Sequence, residues 1–564
     1  MSQKIIVVGG VAGGASAAAR LRRLDEQAQI LVFERGPEVS FSNCSLPYHL
    51  SGVVADPARL VMMTPAKFKK QYNIEVRTGS EVVAINRATK TVTINNVLEN
   101  RRYEESYDKL VLAPGATPIR PAIPGGELMR LHTVHKVQDT VALQKDMASH
   151  QRVVVIGGGF IGVEAAENLR EGGNDVTLIE AQPQILKTFD EDMVQIFHKE
   201  LTDQGVTLIL NDKVTAFTRD AVVLASGKQI PADMVVMSIG VSPETTLAKA
   251  AGLTLGSTGA IAVDEICRTN DPDIYAVGDA IEVHSKLFDA PYKLSLAWPA
   301  QVQARGVADH INGKPFVAPR FIGSSCIKVF DYNGASTGLT EGQIQAAGLP
   351  IDYEVAQVQA FDRVSLMPDA QVCHLKLLFE KSSGKILGAQ AIGKGNVDKR
   401  IDVIATAMHY GGKVQDLPEL ELCYAPPFST AKDVANMAGY VASNLHSGSF
   451  RQVRAQQVRE LVASGAYILD VRETPELAAG VIQGSHSIPM SELRERVGEI
   501  PKDRPVYVHC RTGQRSYNVV LTLQQLGFTQ VYNLAGGFLF LSFYEAFRDK
   551  DEQRKPILTG YNFK

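Results

Sequence analysis

The sequence predicts an α/β protein of several domains, and three observations carry that prediction. A strand, a glycine turn, a helix and a second strand ending on an acid occur in this order twice, from Ile5 to Glu34 and from Val153 to Glu180. The stretch from about 320 to 445 is β-rich and then helical, without a turn of that kind. After a small, polar passage around Leu445-His446-Ser447-Gly448-Ser449, an α/β pattern restarts. The 564 residues suit about three or four domains of roughly 150 residues each.

In the first unit, Ile5 to Val8 reads as a buried strand, Ala15 to Leu24 as a helix and Ile30 to Phe33 as the next strand. Between strand and helix, Gly9, Gly13 and Gly14 shape the turn: Gly9 permits the bend and Gly14 lets helix and strand approach closely. Val11 stands at the middle glycine position. Glu34, about twenty residues on, completes a dinucleotide signature. The second unit keeps all its glycines: strand Val153 to Ile156, turn Gly157, Gly159 and Gly162, helix through Leu169, strand Val176 to Ile179, then Glu180. A helix N-terminus of this kind holds a diphosphate on its free N–H groups and positive dipole end. Glu180 hydrogen-bonds both ribose hydroxyls and repels a 2′-phosphate, so NADH is expected over NADPH. Two units imply two dinucleotides, one resident and one exchanging.

Tyr107 to Ala116 reads as a strand entering a turn at Ala113 and Gly115, where the chain crosses between domains. Ile274 to Ala280 reads as a short strand, then Gly278 and Asp279 opening a helix. Asp279 suits a sugar alcohol; the alternative is an ordinary helix N-cap. Between the two units lies Ser40-Phe41-Ser42-Asn43-Cys44-Ser45-Leu46-Pro47-Tyr48, with one cysteine among small polar residues. Such a thiol reacts only where it is exposed and partly ionised, and most lone cysteines are buried hydrophobes.

In the third region Cys373 to Phe379 is a β-run, Ile401 to His409 a helix, and Glu421 to Phe428 a rigid turn before another helix. In the last, Tyr467 to Leu469 and Val506 to His509 are strands, and the second delivers Cys510 to Arg515 into a helix. The N–H groups of that loop form an anion cradle; Arg511, Arg515 and the helix N-terminus all favour a thiolate or persulfide at Cys510.

The net charge of −3 gives no reason to expect nucleic acid or an anionic membrane as partner. No apolar run approaches the ~20 residues of a membrane span, and Met1 to Gly9 lacks a signal-peptide layout. Six dispersed cysteines make no disulfide framework, so a reducing, cytoplasmic setting is expected. Cys267, Cys326, Cys373 and Cys423 read as structural, and no metal-ligand spacing links them, so no metal is expected.

With these pieces in place, residues 1–445 resemble the flavoprotein pyridine nucleotide–disulfide oxidoreductases, and residues ~452–545 resemble a rhodanese domain. The first resemblance rests on the Gly9 turn with Glu34, Tyr107 to Ala116, the Gly157 turn with Glu180, and Ile274 to Ala280. The second rests on Asp470-Val471-Arg472, Gly484 to Pro489 and Cys510 to Arg515. Ser40-Phe41-x-Asn43-Cys44-x-Leu46-Pro47-Tyr48 is similar to the signature around the single redox cysteine of the coenzyme A-disulfide reductase subfamily, which includes rhodanese-fused, NADH-dependent persulfide and polysulfide reductases. The resemblance implies two Rossmann-like domains, for FAD (1–120 and 245–320) and NADH (121–244). It further implies an α+β dimerisation domain (321–445), a linker (446–451) and an α/β rhodanese domain (452–564). It implies a homodimer in which Tyr424 approaches the partner's redox cysteine. The chain departs from the subfamily at Ser45, where Gly is usual, and at Ser365-Leu366-Met367-Pro368-Asp369, which replaces a Tyr-Tyr-Pro-Gly stretch.

The resemblance implies NADH reducing FAD, and FAD passing electrons to sulfur on Cys44. The family's second redox cysteine falls at His49, so Cys44 works alone. Ser40 and Asn43 belong to its signature and are implied to contact the substrate, Asn43 the cofactor as well, and Phe160 covers the flavin or simply packs its helix. Coenzyme A needs a cationic surface; Arg20 and Arg23, one turn apart, offer it, with Lys67, Lys69 and Lys70 as a second cluster or a solvated face. Cys510 is expected to hold sulfane sulfur that a low-molecular-weight thiol carries to Cys44. Competing readings are an NADH oxidase or peroxidase cycling Cys44 through sulfenic acid, and a redox sensor or sulfur-trafficking protein with little turnover.

Overall fold

The computed structural model describes residues 2–149 and 151–563. The chain divides into two compact units, Met1–Ala181 with Asp212–Phe321, and Gln182–Asn211 with Ile322–Lys564. Residues 182–211, assigned to the nicotinamide-nucleotide domain on sequence, thus cluster with the second unit.

In the first unit five parallel strands lie in the order Ile274–Ala276, Lys109–Leu112, Lys4–Val8, Gln29–Phe33, Glu75–Arg77. The central segments are nearly all Ile, Val, Leu and Phe because both faces of a parallel sheet are covered. The register pairs Val8 with both Phe33 and Leu112, so the Gly9 turn, Glu34 and Ala113 emerge at one edge. The crossover helix is Ala12–Leu24, three residues longer at its start than the sequence predicted, and it buries Ala17, Ala18 and Leu21. Its last turn is tied down by Arg22, whose buried guanidinium donates to the carbonyls of Tyr72, Asp25, Glu26, Ala28 and Asn73 at 2.7–3.0 Å.

A second parallel sheet carries Leu131–His132, Met234–Met237, Arg152–Ile156 and Asp175–Ile179 in that order. Ile156 pairs with Ile179 and Met237, which sets Gly157, Glu180 and Ser238 together at its edge. Helix Phe160–Glu171 follows the turn. Gly278–Ala280 is one 3₁₀ turn and opens no longer helix; its N-cap is Val277, so the N-cap alternative for Asp279 does not hold.

The second unit begins with an antiparallel sheet ordered Ser324–Val329, Tyr332–Gly338, Ile386–Gly393, Val372–Glu380, Tyr353–Phe361, with helices Val397–His409 and Val434–His446 beside it. A parallel sheet follows, ordered Arg451–Val453, Val531–Leu534, Val506–His509, Tyr467–Asp470, His486–Ser487. The linker expected at 446–451 is short and packed. The preceding helix runs through His446, Phe450 is buried with its ring 5.0 Å from Tyr517, and Gln452 donates to the Val355 carbonyl at 2.6 Å.

One buried cluster joins these two sheets. Lys376, fully buried, donates to Asp192 at 2.7 Å and Glu341 at 2.6 Å and lies 3.0 Å from Asp190. Glu341 also takes Arg454, which caps the first helix of the last domain, at 2.7 Å. The three carboxylates are close enough to bind a cation, and the Lys376 ammonium supplies it. Among the described residues no helix is long and apolar enough to cross a membrane.

Candidate active site

Both glycine turns are shaped by backbone crowding. A Cβ on Gly9 would lie 2.1 Å from the Ala113 carbonyl oxygen, and one on Gly14 1.8 Å from that of Gly9. In the second turn, a Cβ on Gly157 would lie 2.4 Å from the Ser238 oxygen and one on Gly162 1.8 Å from the Gly157 oxygen. Gly159 differs: it is exposed, and a Cβ there would meet nothing within 4 Å. It stands at the N-cap of helix Phe160–Glu171. That helix and Ala12–Leu24 both lack a side-chain cap and an acid in the first turn, so the N–H groups and dipole are left for an outside anion.

The acids brace the turns. Glu34 accepts from the N–H groups of Gly10 at 2.9 Å and Gly36 at 2.8 Å, and Glu180 accepts from Gly158 at 2.7 Å. Gly115 takes a φ of 72° in open space, and the Gly278 N–H donates to Gln303 at 2.8 Å. Burial lifts the Asp279 carboxyl to about 6, the mark of a carboxylate short of donors. Two uncapped helix starts, a braced acid beside each turn and a donor-poor Asp279 fit two diphosphate-bearing nucleotides.

Cys44 is exposed on a single 3₁₀ turn, Asn43–Ser45, just before the short helix Pro47–Leu50. Ser45, at the position where the subfamily carries Gly, shares a 2.8 Å hydroxyl hydrogen bond with Ser42. Asn43 is exposed beside the thiol. His49 is buried, its Nδ1 2.6 Å from the Val54 carbonyl. Ser40 is buried in the left-handed region (φ 51°), its N–H donating to the Gly10 carbonyl at 2.8 Å, so its backbone anchors the loop.

The Cys44 pKa is raised, first by partial desolvation against the surrounding protein, then by the charges of Glu164 and Asp279. Glu164 is itself lifted to about 7, by burial and then by Glu167. Sequence reasoning missed Glu164. The available signal was its place four residues after Phe160, on the same face of the helix.

The basic surface is narrower than expected. Arg20 is committed to Asp309, its guanidinium 2.5 Å from the carboxylate, so its charge is met within the fold. Arg23 is exposed and lies 5.8 Å over the ring of Tyr72, on the helix that carries Lys67, Lys69 and Lys70. In the second unit Tyr424 is 51% exposed, with Phe428 and Leu366 exposed still further.

Cys510 is fully buried at the end of strand Val506–His509. Its Sγ accepts from the Gly513 N–H at 3.2 Å and the Ser516 hydroxyl at 3.5 Å, the anion cradle expected from the loop. The carbonyls of Cys510 and Arg511 each accept an N–H at 2.9 Å from Phe538 and Leu539, which open the last helix. Beneath the loop, Asp470 holds the buried Arg472 at 2.6 Å and lies 3.6 Å from His509. Arg515 is not free for an anion as predicted: it is paired with both oxygens of Glu476, at 2.6 and 2.7 Å. Of the other cysteines, Cys267 and Cys373 are buried and burial pushes both thiols up to about 12. Cys326 and Cys423, also read as structural, are exposed.

Comparison with known proteins agrees with this geometry. The family described as pyridine nucleotide-disulphide oxidoreductase matches residues 3–304, its dimerisation domain residues 324–435, and the rhodanese-like domain residues 454–539. The chain is 36% identical over 447 residues to coenzyme A disulfide reductase of Staphylococcus epidermidis, covering 78% of this chain and 99% of that one. The crystal structure of reduced Bacillus anthracis CoADR-RHD is 45% identical, with a TM-score of 0.93 over 97% of this chain and 99% of that one. The structure of a NAD-dependent persulfide reductase from A. fulgidus is 36% identical, with a TM-score of 0.90 over 95% of this chain and 99% of that one. A water-forming NADH oxidase from Lactobacillus brevis is 29% identical, with a TM-score of 0.76, and covers 79% of this chain and 100% of that one.

Proposed function

The chain belongs to the pyridine nucleotide-disulphide oxidoreductase family, and we propose that it is an FAD-dependent, NADH-driven reductase of coenzyme A disulfide, coenzyme A persulfide or polysulfide. The observation that carries this is the lone Cys44, exposed on its 3₁₀ turn within electrostatic reach of Glu164 and Asp279, with His49 at the four-spaced position. Relatives named for coenzyme A disulfide and persulfide reduction support the substrate class. The NADH oxidase neighbour covers 79% of the chain, whereas the persulfide reductase covers 95%.

The Gly9 turn, Glu34 and Asp279 would hold FAD; the Gly157 turn and Glu180 would hold NADH. Bound there, FAD relays two electrons from NADH to sulfur. Everything else falls to the chain. The Cys44 thiolate attacks a sulfur–sulfur bond, keeps one half as a mixed disulfide and expels the other as a thiolate. Glu164, near pH 7 poised between its two forms and acting electrostatically on Cys44, would supply a proton for the departing thiolate. Exposed Arg23 and the lysines of helix Pro65–Tyr72 would meet the phosphates of coenzyme A. Cys510 would carry sulfane sulfur in its N–H cradle.

Tyr424 would act toward the Cys44 of a second copy. A homodimer is supported by the dimerisation-domain match and by a largely apolar depression of about 530 Å³ lined by Val403, Ala407, Tyr410, Leu420 and Leu422. The protein would work in the cytoplasm. Separate Cys44→Ser and Cys510→Ser variants test the scheme by NADH-dependent sulfide release. Cys44→Ser should abolish it, and full turnover in that variant would overturn the proposal.

A further inference from the structure

The mouth of the Cys510 loop is built from four charged groups whose signs cancel. Arg515 is held by Glu476 through two hydrogen bonds, at 2.6 and 2.7 Å, and Glu476 also caps its own turn by accepting the Glu473 N–H at 3.0 Å. Glu473 accepts the Ser491 hydroxyl at 2.8 Å. Arg511 is half-buried, and Arg515 and Glu476 both act on it electrostatically, as does Cys510. Arg515 faces Cys510, Glu476 and Glu473 in the same way. Two guanidinium groups therefore stand against two carboxylates, and that of Arg515 is engaged by Glu476. Arg511 also acts on His374, which is fully buried; burial first and Arg511 second pull its pKa down to about 3, so it adds no charge.

A donor enters this mouth by one chemical step. The Cys510 thiolate attacks the outer sulfur of the donor, a new Sγ–S bond forms, and the donor's sulfur–sulfur bond breaks. The electron pair leaves with the donor's inner sulfur. With an alkyl persulfide the leaving group is a thiolate; with thiosulfate it is sulfite. No net oxidation occurs. Thiosulfate brings two negative charges directly to the mouth, whereas an alkyl persulfide brings at most one. A mouth with unpaired arginines would favour the dianion. We infer that Glu476 is a specificity-determining residue, which by occupying Arg515 turns the Cys510 site away from dianionic sulfur donors and toward organic persulfides. This rests on the reading of Cys510 as a sulfur carrier and deepens it.

The test uses the full chain and two donors, thiosulfate and an alkyl persulfide with an uncharged body. The readouts are kcat/KM for sulfur transfer to a thiol acceptor and the mass gain of one sulfur atom on the Cys510 peptide. Glu476→Gln removes the charge yet keeps an oxygen for the Glu473 N–H. It should raise the thiosulfate-to-persulfide ratio of kcat/KM by about tenfold or more, as expected for unmasking one cation beside a dianion. Glu476→Asp, which keeps the charge, should leave the ratio near that of the parent chain. Hydrogen-exchange protection of the amides of strand Val506–His509 reports that each variant is folded around Cys510. An unchanged ratio in Glu476→Gln, or an equal fall with both donors, would overturn the inference. Absence of any sulfur on Cys510, in parent and variants alike, would instead overturn the carrier reading beneath it.

Discussion

Replacing Lys376 by Met should open the second unit, and the size of the effect follows from the cluster around it. The ammonium is fully buried and lies 2.6 Å from Glu341, 2.7 Å from Asp192 and 3.0 Å from Asp190. Methionine fills much of the volume but leaves three buried carboxylates with Arg454 as the remaining cation. Removing one partner from a buried ion pair costs about 3–5 kcal/mol, because the remaining charge is stranded away from water. The pH dependence fixes the mechanism. Burial alone would raise the Glu341 pKa, but Lys376 and Arg454 outweigh it and hold the carboxyl at about 2. Its contribution is therefore complete above the unfolded value of 4.5 and is lost as pH falls toward 2. Asp190 already lies above its ordinary range through burial. Without Lys376 the folded cluster takes up protons at higher pH, so the deficit of the variant should be largest near neutrality and shrink as the solution is acidified. Two compact units do not unfold in one step, so the assay is hydrogen exchange of the amides of strand Val372–Glu380. A deficit below about 1 kcal/mol, or one that does not shrink with acid, would refute the reasoning.

Two further predictions separate shape from chemistry. Gly162→Ala should disrupt the second nucleotide fold, since its Cβ would lie 1.8 Å from the Gly157 oxygen, whereas Gly159→Ala meets nothing within 4 Å and should fold normally. Gly159→Ala should instead raise the KM for NADH by about tenfold, because its Cβ would stand where the phosphate approaches the N–H groups and cost a charge-assisted hydrogen bond; equal thermal stability with unchanged KM would contradict this. In the cofactor-free chain, the pH midpoint for alkylation of Cys44 should lie above that of an ordinary thiol, and Glu164→Gln should lower it, because the Glu164 charge disfavours the thiolate. A midpoint that Glu164→Gln leaves in place would remove Glu164 from the site.

The parts legible in the sequence are those set by neighbours along the chain. The strands at Val8, Phe33, Ile156 and Ile179 end where the apolar runs end, and their register brings Gly9 to Glu34 and Gly157 to Glu180. Their polar first residues, such as Lys4 and Arg152, join the strands by backbone pairing that an apolar pattern does not record. The Cys510 loop was legible for the same reason, since strand, thiol and glycine follow one another directly. Partners far apart in sequence were not. Arg20 meets Asp309 across 289 positions, and Lys376 meets Asp192 across 184. Arg515 meets Glu476 across 39 positions, so a cation that reads as an anion ligand is already paired. Glu164 was hidden because its charge reaches Cys44 only through the fold, across 120 positions of sequence.

The most direct test of the central claim is the mass of the Cys44 peptide from chain exposed to coenzyme A disulfide, taken before and after one equivalent of NADH under anaerobic conditions. The account predicts a coenzyme A adduct on Cys44 before NADH and a free thiol afterwards, with one free coenzyme A released for each NADH consumed. An adduct on Cys326, Cys423 or Cys510 in place of Cys44, or NADH consumption that leaves the Cys44 adduct intact, would contradict it.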